Sequence, residues 1–130
     1  MHRRTFLSVL MVTGVGLLSM GHSPYRQWYV YRRLRLFILT SAAEPESYPL
    51  GERVAALLAE HLPESRAMAA RARDSVEIAK LIGSQQLDVA LLSAVDARAA
   101  LEGGGPFAEE GPLPLRALAV LGDYVLVCRD

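Results

Sequence analysis

The run Asp88-Val89-Ala90-Leu91-Leu92, then Ser93, then Ala94-Val95-Asp96-Ala97-Arg98-Ala99-Ala100-Leu101 decides the fold. Its first part is a short apolar strand between an acid and a serine. Residues 94–101 follow as a short helix, and Gly103-Gly104-Gly105-Pro106 stops it. The same order of strand and helix recurs upstream. Arg35-Leu36-Phe37-Ile38-Leu39-Thr40 is nearly continuous in apolar character, as expected of a strand buried on both faces. Residues 41–49 form a loop carrying Pro45 and Pro49. Leu50, Val54, Leu57, Leu58 and Leu62 then fall on one helical stripe, which Pro63 ends. Residues 66–71 form a second, alanine-rich strand. Asp74 caps the next helix, Glu77 three residues later completes a capping-box-like pair, and the helix runs to about Gln85. Downstream, two apolar runs, residues 115–121 and 124–128, are split by Gly122-Asp123.

Alternating strands and helices predict an α/β fold: a three-layer, parallel-rich sheet with flanking helices and right-handed crossovers. Ligands in such sheets bind beyond the carboxyl ends of the strands, at helix N-termini. In this chain those positions are the loop at 41–50 and the turns at 73–76 and 93–96, which are expected to converge on one edge.

Composition narrows the function classes. The 14 basic and 14 acidic residues cancel, which argues against nucleic-acid binding driven by bulk charge. Cys128 is the single cysteine, so an intramolecular disulfide and a multi-cysteine zinc site are both excluded. Hydrophobic residues make up 52% of the chain, above the usual share for a soluble domain, and part of the excess sits at the N-terminus.

That N-terminus reads as an export signal. His2-Arg3-Arg4-Thr5-Phe6-Leu7 is a basic start, and residues 6–20 carry no charge. A helix of that length spans about 22 Å, short of the ~30 Å hydrocarbon core, which suits the apolar region of a signal. Arg3, Arg4, Phe6 and Leu7 resemble the twin-arginine motif. Ser19-Met20-Gly21 is a poor cleavage site, so an uncleaved segment would serve as an anchor. Tyr25, Trp28, Tyr29 and Tyr31 are interleaved with Arg26, Arg32 and Arg33, as in a juxtamembrane belt or in a linker into the first strand. The chain therefore divides into an export signal or membrane anchor at 1–21, a basic aromatic linker at 22–33, and an α/β lobe at 34–130.

Five segments of that lobe resemble the TAXI-type solute receptors of TRAP transporters. They are Tyr48-Pro49-Leu50-Gly51, Asp74-Ser75-Val76-Glu77, Leu87-Asp88-Val89-Ala90-Leu91-Leu92-Ser93, Gly105-Pro106-Phe107-Ala108 and Leu113-Pro114-Leu115-Arg116-Ala117-Leu118. The resemblance implies the first lobe of a type II periplasmic binding-protein fold, a periplasmic location, a small-molecule solute and a membrane permease as partner. Two departures stand out. The family's glycine-rich loop after the first strand is replaced by Ser41-Ala42-Ala43-Glu44-Pro45-Glu46-Ser47, whose two carboxylates oppose an anionic ligand. The chain also reaches about as far as the point where the family crosses to a second lobe. Leu118, Val120, Leu121, Val125, Leu126 and Val127 would then form an apolar sheet edge that pairs with a second lobe or a second copy.

The ligand contacts implied are Tyr48, Ser75, Val76 and Ser93. Tyr48 would stack on a solute or pack as a half-buried ring. Ser75 and the amides around Val76 lie at one helix N-terminus and Ser93 at another, where anions are favoured and where serines also serve as caps. Catalytic residues, cofactors and metals are not expected. His2 and His22 lie in the export and linker region, and His61 ends an amphipathic helix. The sequence has neither a Gly-x-Ser-x-Gly elbow nor a Gly-x-x-x-x-Gly-Lys loop. The expected function is an extracytoplasmic solute-binding subunit for a small organic anion or amino acid. The alternative is a membrane-anchored interaction or sensory module that kept the lobe without tight solute binding.

Two measurements follow. Arg3→Lys with Arg4→Lys should block twin-arginine export of a reporter fusion, and normal export would leave only a general secretory signal. If the leucine stripe is buried, Leu57→Ala should cost ~2–5 kcal/mol in a melting experiment.

Overall fold

The interior strand β1, Phe37–Ser41, is buried at all five positions, as its continuous apolar run predicts. The computed structural model describes residues 33–130. The expectations for the basic start, the apolar run and nearly all of the aromatic linker lie outside the described residues. After β1 come α1 (Ser47–His61), β2 (Met68–Ala72), α2 (Ser75–Gly83), β3 (Val89–Ser93) and α3 (Ala94–Glu102). A hairpin of β4 (Leu115–Leu121) and β5 (Tyr124–Arg129) follows. The five strands form one sheet in the order β2-β1-β3-β5-β4.

The fold is α/β, with a mixed sheet compatible with a single binding-protein-like lobe. β2 and β3 flank β1 in parallel, with Ser41 opposite Ala72 and Leu39 opposite Ala90. The last two strands are antiparallel, a feature that strand-helix alternation did not reveal. Only Gly122 and Asp123 separate them, with Gly122 at φ 65°. A link that short cannot make a crossover, so β5 must return against β4. β5 lies inside the sheet between β3 and β4, and Leu126 and Val127 are buried. Of the two apolar runs only β4 is an edge, and on it Leu118 and Val120 are exposed.

Three helix ends have a visible cause. The Asp74 carboxylate accepts from the Glu77 amide at 2.8 Å, and the Glu77 carboxylate accepts from the Arg73 amide. Ser93 Oγ accepts from the Asp96 amide at 3.2 Å and caps α3. Gly103, at φ 68°, closes α3 in the left-handed conformation that a Cβ disfavours.

The sheet buries both faces. On one, Leu39, Ala90, Leu92 and Val127 pack against Ile78 and Ile82 of α2. Phe107 is fully buried beside Ala79, Ala100 and Leu113, which seals α2 and α3 together. On the other face, Ile38, Val89, Leu91 and Leu126 meet α1. The buried line of α1 is Ser47, Gly51 and Ala55, with Leu50, Val54 and Leu58 packed beside it. Leu57 is 58% exposed and Leu62 is 53% exposed, so the expected stripe is corrected at both. Leu57 lies about 100° round the helix from Leu58, and Leu62 follows the last helical residue, His61.

Small residues on α1 permit a close approach to the sheet. A Cβ at Gly51 would lie 2.6 Å from Cγ2 of Thr40. Thr40 cannot easily turn aside, because its hydroxyl donates to the Ala70 carbonyl at 2.9 Å. Gly51→Ala should therefore cost about 1–3 kcal/mol, whereas Leu57→Ala should stay within about 0.5 kcal/mol. Urea unfolding of both variants checks the pair, and the reverse order would contradict this packing.

Candidate functional site

Parallel pairing brings the carboxyl ends of β1, β2 and β3 to one edge of the sheet. Antiparallel pairing adds the start of β5, because Tyr124 lies opposite Ser93. The loop after β1 is held down at several points. The Ala42 amide donates to the Ala72 carbonyl at 2.8 Å, which joins the loop to the end of β2. Ser47 is fully buried, and its hydroxyl lies 3.0 Å from the Ser41 carbonyl and 2.9 Å from that of Glu44. A buried hydroxyl needs such acceptors, and this one fixes the turn from loop to helix. Tyr48, the next residue, emerges at the rim.

A cleft of about 260 Å³ opens there, lined by Ser41, Ala42, Glu44, Pro45, Tyr48 and Arg71. Arg71 lies near the end of β2. Its neighbours Ala70 and Ala72 face α2, so alternation turns Arg71 to the α1 face. Its guanidinium carbon sits 3.8 Å from the centre of the Tyr48 ring. A cation on a ring at an exposed site contributes about 0.5–1 kcal/mol. Across Tyr48, a shallower hollow between α1 and β2 is lined mainly by alanines, with Glu52 as its one charged side chain and no cation.

Glu44 connects the cleft to the rest of the edge. Burial raises its carboxyl above the usual glutamate range, and the nearby charge of Asp96 raises it further. The Tyr124 hydroxyl donates to Glu44 and opposes that rise. Tyr124 itself titrates above the usual tyrosine range, through burial first and then the negative charge of Glu44. Glu44 therefore feels both the charge of Asp96 and the hydroxyl of Tyr124.

The expected contacts fall in different places. Tyr48 lines the cleft, with one ring face covered by Arg71. Ser93 caps α3 beside Asp96 and opposite Tyr124. Ser75 is the first residue of α2 behind its cap Asp74, and Val76 packs against the Phe107 cluster. Neither Ser75 nor Val76 lines the cleft. The sequence reasoning missed Arg71, Asp96 and Tyr124. The available signal was an arginine one place from the end of a strand that leads into a ligand-facing turn. Among the described residues no group of three or more His, Cys, Asp or Glu is placed to hold a metal ion.

The NMT1-like family matches residues 38–126, which covers all three helices and the sheet from β1 into β5. The chain belongs to the NMT1-like family, a periplasmic-binding-protein-like family. It is a family of the binding-protein type, not an enzymatic one, and it implies a small-molecule ligand. Among curated proteins none matches this chain.

The Glu44 shift has a definite sign. A carboxyl raised in the folded state holds its proton more tightly there than when unfolded. Stability therefore falls as the pH rises from the ordinary glutamate range through the higher folded value. Glu44→Gln should raise stability at neutral pH and lose that advantage once acid has neutralised the wild-type carboxyl. Denaturant midpoints of both chains between about pH 4 and pH 8 check this, and a variant less stable at neutral pH would contradict it.

Proposed function

We propose that the chain is an extracytoplasmic solute-binding subunit of a TRAP-type transporter, of the TAXI kind, and that its cleft receives a small organic anion or amino acid. One observation carries the proposal: a binding-protein-type lobe has its cleft beyond the carboxyl ends of its parallel strands, where α/β sheets take ligands. The five TAXI-like segments support the transporter type. Tyr48 and Ser93 are the proposed contacts nearest the cleft, with Ser75 and the Val76 amide further along the edge. The partners are a membrane permease and a second lobe or second copy, which would meet the lobe through the β4 edge. The location is periplasmic, reached by the segment that carries Arg3, Arg4, Phe6 and Leu7, which anchors the chain in the inner membrane when uncleaved.

One observation favours the second reading, a membrane-anchored interaction or sensory module. The N-termini of α2 and α3 are occupied by the chain's own Asp74, Glu77, Ser93 and Asp96, which leaves less for an anion to gain there. Melting curves of the chain with a panel of small carboxylates and amino acids separate the two. A ligand at a hundred times its Kd adds ~2.7 kcal/mol, so a true solute raises Tm by several degrees. A panel that leaves Tm unmoved would favour the interaction module.

A further inference from the structure

Arg71 is the cationic side chain in the cleft lining. Its guanidinium carbon lies over the Tyr48 ring, 3.8 Å from the centroid, and among the described residues no carboxylate lies within ion-pair distance of it. A guanidinium carries five N–H donors in a planar fork, and among the described residues no carboxylate takes them here. That geometry suits a carboxylate, which takes two parallel N–H bonds from one guanidinium. Glu44 borders the same cleft from the loop after β1. Its carboxylate repels a bare anion and accepts from a donor. A carboxylate has about four acceptor positions, so its interaction with Tyr124 leaves capacity for a ligand donor.

We infer that Arg71 and Glu44 set the specificity of this cleft: Arg71, held over the Tyr48 ring, anchors a carboxylate, and Glu44 demands a hydroxyl or amino donor on the same small solute. The ligand class is thus a small hydroxy- or amino-carboxylate, in preference to a plain carboxylate. The inference rests on the cleft being the solute site, as proposed above. Tyr48 is a positioning residue in this arrangement, because its ring lies against the guanidinium at the cleft.

Propionate, L-lactate and L-alanine share a carbon skeleton and differ at the α position by hydrogen, hydroxyl and ammonium. Their dissociation constants for the full chain can be measured by ligand-observed NMR at one pH and ionic strength. L-Lactate and L-alanine should bind about tenfold tighter than propionate, the effect of one hydrogen bond to a charged group. Arg71→Ala should weaken all three by about tenfold or more. Arg71→Lys, which keeps the charge without the fork, should fall between, and it covers the case in which Arg71→Ala melts early. Glu44→Gln should bring the three affinities to within about threefold of one another. Propionate binding as tightly as L-alanine would overturn the inference, as would affinities indifferent to both Arg71 variants. If these failures occur while solutes from the wider panel still raise Tm, the solute-site proposal stands and only the specificity assignment falls. If neither the three probes nor the panel binds, both fall.

Discussion

Helix α1 lies against β1 so closely that no side chain larger than hydrogen fits at Gly51, where a Cβ would be 2.6 Å from Thr40. That contact determines the geometry of the carboxyl edge. It draws the first turn of α1 onto the sheet, buries Ser47, and places its hydroxyl where the carbonyls of Ser41 and Glu44 can accept from it. The loop carrying Glu44 is thereby pinned, and Tyr48 is left at the rim. The same Thr40 that meets Gly51 holds the Ala70 carbonyl, which fixes β2 just before Arg71. The two residues that form the cation–ring pair are thus positioned from a single packing point.

Local chemistry was readable wherever a signal acts over a few residues. Asp74 with Glu77, and Gly103 after residue 102, mark helix ends because caps are satisfied by near neighbours in the chain. The buried strands β1 and β3 announced themselves by apolar runs, since a strand covered on both faces needs little else. The rotation of α1 was not readable. Leucine spacing is compatible with several rotations, and the choice was made by Gly51 and Ala55, small residues that an apolar stripe undervalues. Arg71 was hidden for a related reason. An arginine at a strand end reads as solvated surface until the register shows Tyr48 beside it.

The charge distribution of the edge departs from the usual anion site built on helix N-termini. Such a site needs free amides and an unopposed dipole. Here α2 begins with Asp74 and Glu77, and α3 carries Asp96 in its first turn. Those acids already complement the dipoles, and Asp96 extends its influence to Glu44. Positive charge in the cleft therefore comes from a side chain, Arg71, and from β2 instead of from a helix. A planar guanidinium imposes direction on what it binds, whereas a helix terminus is a diffuse partial charge.

The antiparallel return of β5 completes this edge. A parallel strand beside β3 would begin at the opposite end of the sheet, and its first residue would lie far from the loop after β1. Because β5 runs the other way, its first residue, Tyr124, pairs with Ser93 at the carboxyl end of β3. The Asp123 carbonyl accepts from the Ala94 amide at 2.8 Å, so the hairpin turn is also fastened to the start of α3. Tyr124 can then donate to Glu44 across the edge. The two-residue turn that makes the sheet mixed thus brings a tyrosine hydroxyl to the carboxylate in the cleft. Its position depends on the register between β3 and β5, and a one-residue slip would turn Tyr124 to the α2 and α3 face. Strand pairing thus adds Tyr124 to the acidic side of a cleft whose loop Ser47 already holds in place.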